Sequence, residues 1–499
     1  MRRKKIIKNI FSSFILQFIT ILCGFIVPKY IIETYGSEVN GLIASITKFL
    51  GYIVLLESGF GPVIKSLLYK PIAEKNKEEL ESVLKSSEIF FRNIAKIFIL
   101  YILILCFVYP LFINGFDTFF TISLIIIISI STFSEYFFGI TYKLYLQSEQ
   151  KAYITSYVEI VATIVNAVSV IILVYYKCDI RIVKLVTVLI FLLRPICQNM
   201  YVRKKYRLDL KKVKKVKKIE QKWDGMAQHI ASVIHENTDI VVLSIFLNLK
   251  EVSVYSIYFL VVGGVRSFSQ SLSTGLDASW GDMLARKEYD GLNKKFNTYK
   301  ILYDMIISII FICTLVLIIP FIKVYTKDIT DYNYIRPVFG YILVLAEFIW
   351  VIRQPYNDLI KASGHFRQTR KGAILEAFIN IALSIILVNI FGLVGVAIGT
   401  FVAMLFRMID FINYSSKNIL KVNPCSQYIR IIIIFVEFII VFVICRFLNN
   451  VLFDSYLVWI KYAFVIFMIT LTVVLSINYI VYRKEISNII NGLKKNKKI

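Results

Sequence analysis

The pentapeptide EVNGL at Glu38–Leu42 returns as EVSVY at Glu251–Tyr255, 213 residues later. Two further pairs of stretches match in the same order at nearly the same spacing: Ala73–Leu80 with Ala285–Leu292, and Tyr145–Glu149 with Lys361–His365. Each match is loose, but the spacing stays between 212 and 216 residues, and every match lies at the end of a hydrophobic segment. The pattern predicts two copies of one helical unit, an arrangement found in many transporters.

The composition around these stretches is that of an integral membrane protein. Apolar residues make up 58% of the 499 residues and charged residues only 18%, against roughly 25% charged residues in a soluble domain. The mean hydropathy is +0.70. The apolar residues form long continuous runs, whereas the strands of a membrane β-barrel would alternate in hydrophobicity. The spans are therefore expected to be helices.

Fourteen runs are long enough to cross a bilayer, since a spanning helix needs about 20 predominantly apolar residues. They are Ile10–Ile32, Leu42–Leu68, Ile89–Ile113, Phe119–Leu146, Tyr153–Tyr176, Ile180–Tyr201, Met226–Leu247, Val252–Met283, Tyr299–Tyr325, Tyr334–Ile360, Ile374–Phe391, Leu393–Ile412, Ile429–Leu448 and Tyr456–Tyr482. The second, seventh and eighth runs contain several polar residues, and losing one pair would leave twelve. The sequence predicts an all-α integral membrane protein with about 14 transmembrane helices.

The repeat and the spans together predict five segments. These are a six-helix lobe at 1–202, a basic linker at 203–224, a second six-helix lobe at 225–415, an extra helix pair at 428–482 and a basic tail at 483–499. The extra pair lies beyond the repeat and is apolar apart from Glu437, Arg446 and Lys461.

Lysine and arginine collect at the amino terminus, in the linker and in the tail, whereas opposite connections such as Tyr35–Asn40 and Asn449–Ser455 contain none. The positive-inside rule then predicts that both termini are cytoplasmic. The first apolar run lacks a small-residue cleavage site, so we interpret it as a retained span. Topology and attraction to anionic membrane lipids explain the net charge of +25, and no nucleic-acid partner is expected.

Neither an enzyme nor a metal site is expected. The sequence has no GxxxxGK[ST], HExxH or GxSxG motif, and the longest outer connection, around Lys327–Asn333, is too short for a catalytic domain. The seven cysteines show no metal-ligand spacing, and the three histidines are scattered. We expect no cofactor. A membrane glycosyltransferase or polymerase remains the alternative from another functional class.

Polar residues inside the spans are the best candidates for a substrate site, because in lipid they must face a cavity or one another. Arg194, Arg266 and Arg353 are the leading candidates, since a guanidinium binds a pyrophosphate bidentately and stays charged. Gln270 and Asp277 add polar groups in the eighth span. This distribution predicts a hydrated central cavity lined by both lobes.

Four acidic or imidazole side chains are candidates for coupling to a proton or a cation. Glu57 lies in the second predicted span, and His235, Glu236 and Asp239 lie in the seventh. Helical spacing places His235 and Asp239 on one face. Simple helix packing through interhelical hydrogen bonds is the alternative interpretation of all four.

Glycine and proline at two places predict flexible points. Gly59, Gly61 and Pro62 lie in the second span, and Gly263 and Gly264 lie in the eighth. Proline inside a helix frees a backbone carbonyl and permits bending, while glycine permits close helix packing. We predict hinges at these residues, and close packing is the alternative.

Several stretches resemble the oligosaccharide-lipid flippases of bacterial O-antigen and capsule synthesis (Wzx type), which belong to the multidrug/oligosaccharidyl-lipid/polysaccharide exporter superfamily. The stretches that carry this resemblance are Pro28–Tyr30, Tyr35–Gly41, Leu55–Gly61, Ala73–Leu80, Asn237–Leu243 and Val252–Tyr255. The resemblance extends over most of the chain, and its motifs mark the superfamily better than the substrate.

The resemblance implies a V-shaped pair of six-helix lobes in the bacterial cytoplasmic membrane that alternates between inward-open and outward-open states. It implies a polyprenyl-pyrophosphate-linked oligosaccharide as cargo, with membrane lipids around its tail. Coupling to a proton or sodium ion and contact with polysaccharide polymerase machinery are further hypotheses. Two related functions stay open: a flippase for the lipid-linked peptidoglycan precursor, and a multidrug or organic-cation antiporter in which Glu57, Asp239 and Asp277 would bind the cation.

Overall fold

A computed structural model describes residues 2–57, 59–113, 115–210, 213, 226–271, 276–286, 288–447 and 452–487. Within these ranges all regular secondary structure is helical, which confirms the predicted all-α membrane fold. Most of the predicted basic linker and the end of the basic tail lie outside the described residues.

The chain divides into two compact units, Met1–Ser256 and Ile257–Ile499. Unit 1 contains α1 (Arg2–Gly51), α2 (Val54–Glu57), α3 (Phe60–Glu74), α4 (Lys77–Phe112), α5 (Thr118–Ser134), a π-helical turn (Glu135–Gly139), α6 (Ile140–Ser148), α7 (Ala152–Tyr175), α8 (Ile180–Tyr206), α9 (Met226–Phe246) and the start of α10 (Leu249–Ser271). Unit 2 contains the rest of α10, α11 (Leu276–Ala285), α12 (Tyr289–Tyr325), α13 (Pro337–Ile352), α14 (Gln354–Ala362), α15 (Arg370–Phe391), α16 (Leu393–Ser415), a second π-helical turn (Ser416–Leu420), α17 (Cys425–Phe447) and α18 (Tyr456–Val481).

The succession of helix lengths repeats between the units. Helices α4 and α12 have 36 and 37 residues, α5 and α13 have 17 and 16, and α6 and α14 have nine each. The break between α5 and α6 is a π-helical turn, and the break between α13 and α14 is the single residue Arg353. Helices α7 and α8 correspond in the same way to α15 and α16. This correspondence agrees with the repeat read from the sequence.

Within the described residues, each of the fourteen predicted spans falls mainly on helices. Among the described residues, eleven helical segments are long and apolar enough to cross a membrane, and the first, Ile7–Glu57, covers one predicted span and part of the next. The predicted sixth and seventh spans are α8 and α9, which are not among the eleven. On α4, Phe107 and Leu111 are each 78% exposed, as expected for side chains that contact lipid.

The first two predicted spans differ from the structure in their ends. The predicted connection at Tyr35–Asn40 contains the break between two helical stretches of α1, which meet at Gly36 with φ 85° and ψ 167°. The second stretch continues to Gly51. Glycine adopts this left-handed φ without a Cβ clash. The predicted second span is interrupted at Tyr52 and Ile53, which form a turn, and again at Gly59, with φ 81°.

The last two helices of unit 2 pack against α12 and are joined to each other by a buried polar contact. Helices α17 and α18 both pack against α12. The carboxylate of Glu437 in α17 is fully buried and accepts a hydrogen bond from Asn478 Nδ2 in α18 at 2.6 Å. A buried carboxylate without such a donor would be strongly unfavourable, so this pair helps to fix α17 against α18.

Candidate functional site

Unit 2 contains a buried ion pair between α10 and α13. Arg266 is 9% exposed, Glu347 is 1% exposed, and Nη1 of the first lies 3.3 Å from Oε2 of the second. The guanidinium also lies over the Trp350 ring, 4.8 Å from its centroid, and near the Phe259 ring at 5.5 Å. Polar groups in membrane helices are expensive and often functional. Arg266 is thus held between a carboxylate and two aromatic rings.

A second buried cluster in unit 2 centres on Glu376 of α15. Its Oε1 lies 2.8 Å from Arg353 Nη1, and its Oε2 lies 3.2 Å from Arg407 Nε. Arg407 Nη1 also lies 2.7 Å from Asp410 Oδ2, and its guanidinium lies over the Phe411 ring at 4.1 Å. The predicted ligand Arg353 therefore has its guanidinium engaged by a carboxylate, and its role as a substrate ligand stays a prediction.

Sequence reasoning did not select Glu376, Arg407 or Asp410. A signal was available, because all three are charged residues inside the eleventh and twelfth predicted spans. The same signal marks Lys300 and Asp304 in the ninth span, which form a buried ion pair on α12. Their partners could not be assigned from the sequence, since pairing across helices depends on how the helices pack.

The third predicted arginine, Arg194 of α8, lines a pocket within unit 1. The pocket also contains Glu135, Lys143, Glu159 and Gln198, and it has a volume of about 170 Å³. Lys143 lies 3.2 Å from Glu159 and 3.5 Å from Glu135. The structure therefore places the three predicted arginines in three separate clusters, one in unit 1 and two in unit 2.

A polar seam runs along the second half of α1 in unit 1. Asn40 donates to Ser253 at 2.8 Å, Ser45 and Ser244 hydroxyls lie 2.7 Å apart, and Tyr52 OH lies 3.1 Å from Thr238 Oγ1. A Cβ on Gly41 would lie 1.8 Å from the Leu249 carbonyl oxygen. Helices α1, α9 and α10 thus approach closely, and hydroxyl and amide groups satisfy one another where they meet.

Two of the candidate ion-coupling residues lie buried beside this seam. His235 is 6% exposed, and Asp239 is 2% exposed and accepts a hydrogen bond from Tyr255 OH at 2.8 Å. Glu236 lies on the exposed side of α9, so the predicted sharing of a face by His235 and Asp239 agrees with the burial. Glu57 lies at the end of α2 and accepts a hydrogen bond from Tyr136 OH at 3.2 Å. Ion coupling by these residues stays a prediction.

The remaining predicted residues lie on α3, α10 and α11. Gln270 is half-buried near the end of α10, and the side chain of Asp277 on α11 lies outside the described residues.

Gly59 precedes α3 with a left-handed φ, and Gly61 and Pro62 lie in the first turn of α3, where a proline removes no helical hydrogen bond. Gly263 and Gly264 lie inside the continuous helix α10. The break before α3 is therefore at Gly59, and Pro62 lies in the first turn of the helix that follows.

No protein-family model matches this chain, and no curated protein matches it. Solved structures with the same fold are transporters. The chain is similar to the lipid II flippase MurJ in an inward closed conformation, with a TM-score of 0.66 and 16% identity over 96% of this chain and 100% of that one.

Two further likenesses are to members of the MOP superfamily. One is an inward-facing multidrug resistance MATE family transporter, with a TM-score of 0.55 and 15% identity over 80% of this chain and 94% of that one. The other is a MOP superfamily transporter from Pyrococcus furiosus, with a TM-score of 0.53 and 14% identity over 85% and 97%. The chain is thus a multi-pass membrane protein with the fold of these transporters and flippases.

Proposed function

We propose that this chain is a flippase that moves a polyprenyl-pyrophosphate-linked oligosaccharide across the bacterial cytoplasmic membrane for surface polysaccharide synthesis, by alternating access of two lobes. The supporting observation is the extent of the likeness to the lipid II flippase. The 4% of the chain that this likeness leaves uncovered is shorter than either α17 or α18. Both helices beyond the repeat are therefore shared, at least in part, with a protein whose named cargo is lipid-linked.

Electrostatics supports a role for Arg266 in which its guanidinium exchanges Glu347 for the pyrophosphate of the cargo during transport. A sugar chain and a pyrophosphate cannot cross hydrocarbon unaided, because each unpaired buried polar group costs several kcal/mol. Arg266 is held by Glu347 at 3.3 Å, and a pyrophosphate is a competing bidentate acceptor for a guanidinium. When the pyrophosphate takes Arg266, Glu347 needs a proton or a sodium ion. The exchange thus links cargo binding to cation binding.

A flippase for the lipid-linked peptidoglycan precursor is the second candidate, and the lipid II flippase likeness favours it directly. Depletion of the protein distinguishes the two cargoes. Loss of surface polysaccharide in intact cells supports the oligosaccharide, and cell lysis supports the peptidoglycan precursor. Transport of a cationic dye by purified protein in vesicles would support the multidrug antiporter instead.

The direct test is flipping of a fluorescent lipid-linked oligosaccharide in proteoliposomes. We expect Arg266→Ala to abolish flipping at an unchanged protein level. Because this substitution leaves Glu347 buried without its partner, the double variant R266Q/E347Q is the sharper test, since it removes both charges together. Arg286→Gln is the matched control, because Arg286 is 65% exposed in a surface ion pair with Asp282.

Full flipping by the folded double variant would contradict the role of Arg266 while leaving the cargo open. Absence of flipping by the unmodified protein, with every lipid-linked oligosaccharide tried, would contradict the proposed function.

The proposed orientation places both termini in the cytoplasm and Cys178 on the outside. Cys178 lies in the connection between α7 and α8. The exposed Cys425 begins α17, and the same orientation places this residue on the cytoplasmic side. A membrane-impermeant maleimide applied to intact cells should label Cys178→Ala protein less than the unmodified protein, whereas Cys425→Ala should leave the labelling unchanged. If Cys425→Ala reduced the labelling and Cys178→Ala did not, the opposite orientation in the membrane would be indicated.

A further inference from the structure

The pocket of unit 1 contains an arginine that has no carboxylate partner among the described residues. Arg194 Nε donates to the Phe191 carbonyl oxygen at 3.4 Å, and its guanidinium lies over the Phe191 ring at 4.1 Å. Within the described part of the chain, no carboxylate lies within ion-pair distance of Arg194. Its neighbour Glu159 is held by Lys143 at 3.2 Å. A guanidinium in a membrane helix that has only one long hydrogen bond is an available anion ligand.

The equivalent arginine in unit 2 does not lack a partner. Arg194 and Arg407 are both the fifteenth residue of their helices, α8 and α16. Arg407 Nε lies 3.2 Å from Glu376, and its Nη1 lies 2.7 Å from Asp410, one turn further along α16. The residue one turn beyond Arg194 is Cys197. Unit 1 therefore lacks the carboxylate that completes the cluster in unit 2.

The rest of the pocket is built to receive a polar group. Gln198 is 4% exposed and lines the pocket, and its amide has no hydrogen-bond partner among the described residues. Lys143 lies between Glu135 and Glu159 and offsets part of their negative charge. A buried amide and an available guanidinium on one helix provide converging N–H donors for one anionic group.

We propose that this pocket binds a phosphate group at Arg194, in place of the carboxylate that Asp410 supplies to Arg407. The planar guanidinium matches two phosphate oxygens, and the Gln198 amide donates to a third. The phosphate is either a free ion or the phosphodiester of a membrane lipid, since both present the same oxygens. The site lies within unit 1 and does not depend on the cargo proposed above.

The test measures binding of radiolabelled inorganic phosphate to the purified full chain in a phosphate-free sugar detergent, by equilibrium dialysis. A second arm adds short-chain phosphatidylglycerol as a competitor. Saturable binding that the lipid does not displace identifies a site for free phosphate, and displacement by the lipid identifies a site for lipid-borne phosphate. Absence of saturable binding in both arms, with the lipid itself radiolabelled in the second, overturns the proposal.

Two substitutions connect the binding to the geometry. Arg194→Gln removes the guanidinium, and Cys197→Asp supplies a carboxylate one turn away, as Asp410 does for Arg407. Because a hydrogen bond to a charged group contributes about 1.5–3 kcal/mol, each variant should bind phosphate at least about tenfold more weakly. Cys197→Ser is the matched control and should bind as the unmodified protein does.

The Cys197→Asp variant keeps the proposal falsifiable if Arg194→Gln fails to fold, since it retains Arg194 and adds an ion pair at an exposed position. Unchanged phosphate binding by folded Cys197→Asp, or equal loss of binding in Cys197→Ser, would overturn the assignment.

Discussion

The two units place charged clusters at equivalent positions on equivalent helices, yet only one of the clusters is closed. In unit 2, Glu376 and Arg407 are 5% and 1% exposed and pair directly. In unit 1, the side chain of Glu159 is 21% exposed and pairs with Lys143, which leaves Arg194 at the edge of a pocket. One helical framework thus supports a rigid ion-pair network in one copy and an open polar pocket in the other.

A second pair of equivalent positions carries opposite charges. In unit 1, Glu88 of α4 accepts hydrogen bonds from Tyr142 OH at 2.6 Å and from Arg203 Nη2 at 2.8 Å. The equivalent of Glu88 is Lys300 on α12, 212 residues later, which lies over the Tyr356 ring at 5.2 Å.

Tyr356 donates instead to Gln427 of α17, at 2.8 Å. The helix pair beyond the repeat therefore supplies a partner in unit 2, where unit 1 uses α8. The difference shows that corresponding buried positions keep a polar interaction even when the charge and the partner helix have changed.

The largest difference between the units should appear on removing the equivalent arginines. Arg407→Leu leaves Asp410 without its ion-pair partner and leaves the buried Glu376 with Arg353 alone. Breaking a buried pair in this way costs about 3–5 kcal/mol. Arg194→Leu removes no ion pair and should cost less than about 1 kcal/mol. Thermal unfolding in detergent, followed by loss of the monodisperse peak, measures both. Equal destabilisation would show that the two clusters have the same structural role.

The spans could be predicted from the sequence, because continuous apolar runs of bilayer length have few alternatives to a helix. The order of the helices followed from those runs, but α4 and α12 begin well before the apolar residues of their spans. The position of the break between the first two spans was predicted, but its confinement to Gly36 was not, since a glycine within a connection does not reveal how far the helices continue on each side. The turn at Tyr52 and Ile53 was missed, because this part of the second predicted span contains no proline and no polar cluster that marks a break. The interruption at Gly59 lies at a residue that was predicted to be flexible.

The candidate site was harder to predict than the spans. Arg194, Arg266 and Arg353 were selected as charged residues in apolar runs, but Glu376 and Arg407, which have the same property, were not. Distances between residues on different helices cannot be read from a sequence. The sequence could therefore not show that Arg266 and Arg353 have carboxylate partners, whereas Arg194 has none in the part of the chain that the structure describes. That distinction depends on which helices bring Glu347 to Arg266 and Glu376 to Arg353.

The equivalent positions Glu88 and Lys300, which carry opposite charges, should give losses of stability of intermediate size. Lys300→Met leaves Asp304 buried without its ion-pair partner, and we expect a loss of about 3 kcal/mol. The double variant K300M/D304N removes both charges and should recover most of that loss. Free energies of unfolding or midpoints in a denaturant series measure the difference. A double variant that is no more stable than Lys300→Met would show that Asp304 is held mainly by other groups.

Glu88→Gln in unit 1 should have a smaller effect than Lys300→Met. Arg203 is 38% exposed and remains in contact with water after the substitution, and the neutral amide can still accept from Tyr142. We therefore expect a loss of about 1 kcal/mol, near the net value of a single hydrogen bond. The same denaturant series provides the measurement. A loss as large as that of Lys300→Met would place Glu88 in a network as tightly buried as the one in unit 2.

The smallest effect concerns the starts of the equivalent helices α8 and α16. Asp179 caps α8 by accepting from the Arg181 main-chain N–H at 2.7 Å, whereas α16 begins after Gly392 without a side-chain cap. Asp179→Ala should cost roughly 1 kcal/mol. The Arg181 side chain, which donates to the carboxylate at 2.7 Å, and the main-chain N–H lower the pKa of Asp179 below its usual value.

A lowered pKa in the folded state means that the cap stabilises the protein above the pKa of the unfolded chain and loses this effect as the pH falls through the folded value. The difference in stability between Asp179→Ala and the unmodified protein should therefore be present at neutral pH and shrink in acid. Gly392→Ala is not an equivalent test, because Gly392 has a φ of 57° that alanine adopts with strain. A difference that stays constant from neutral to strongly acidic pH would show that the Asp179 side chain acts without its charge.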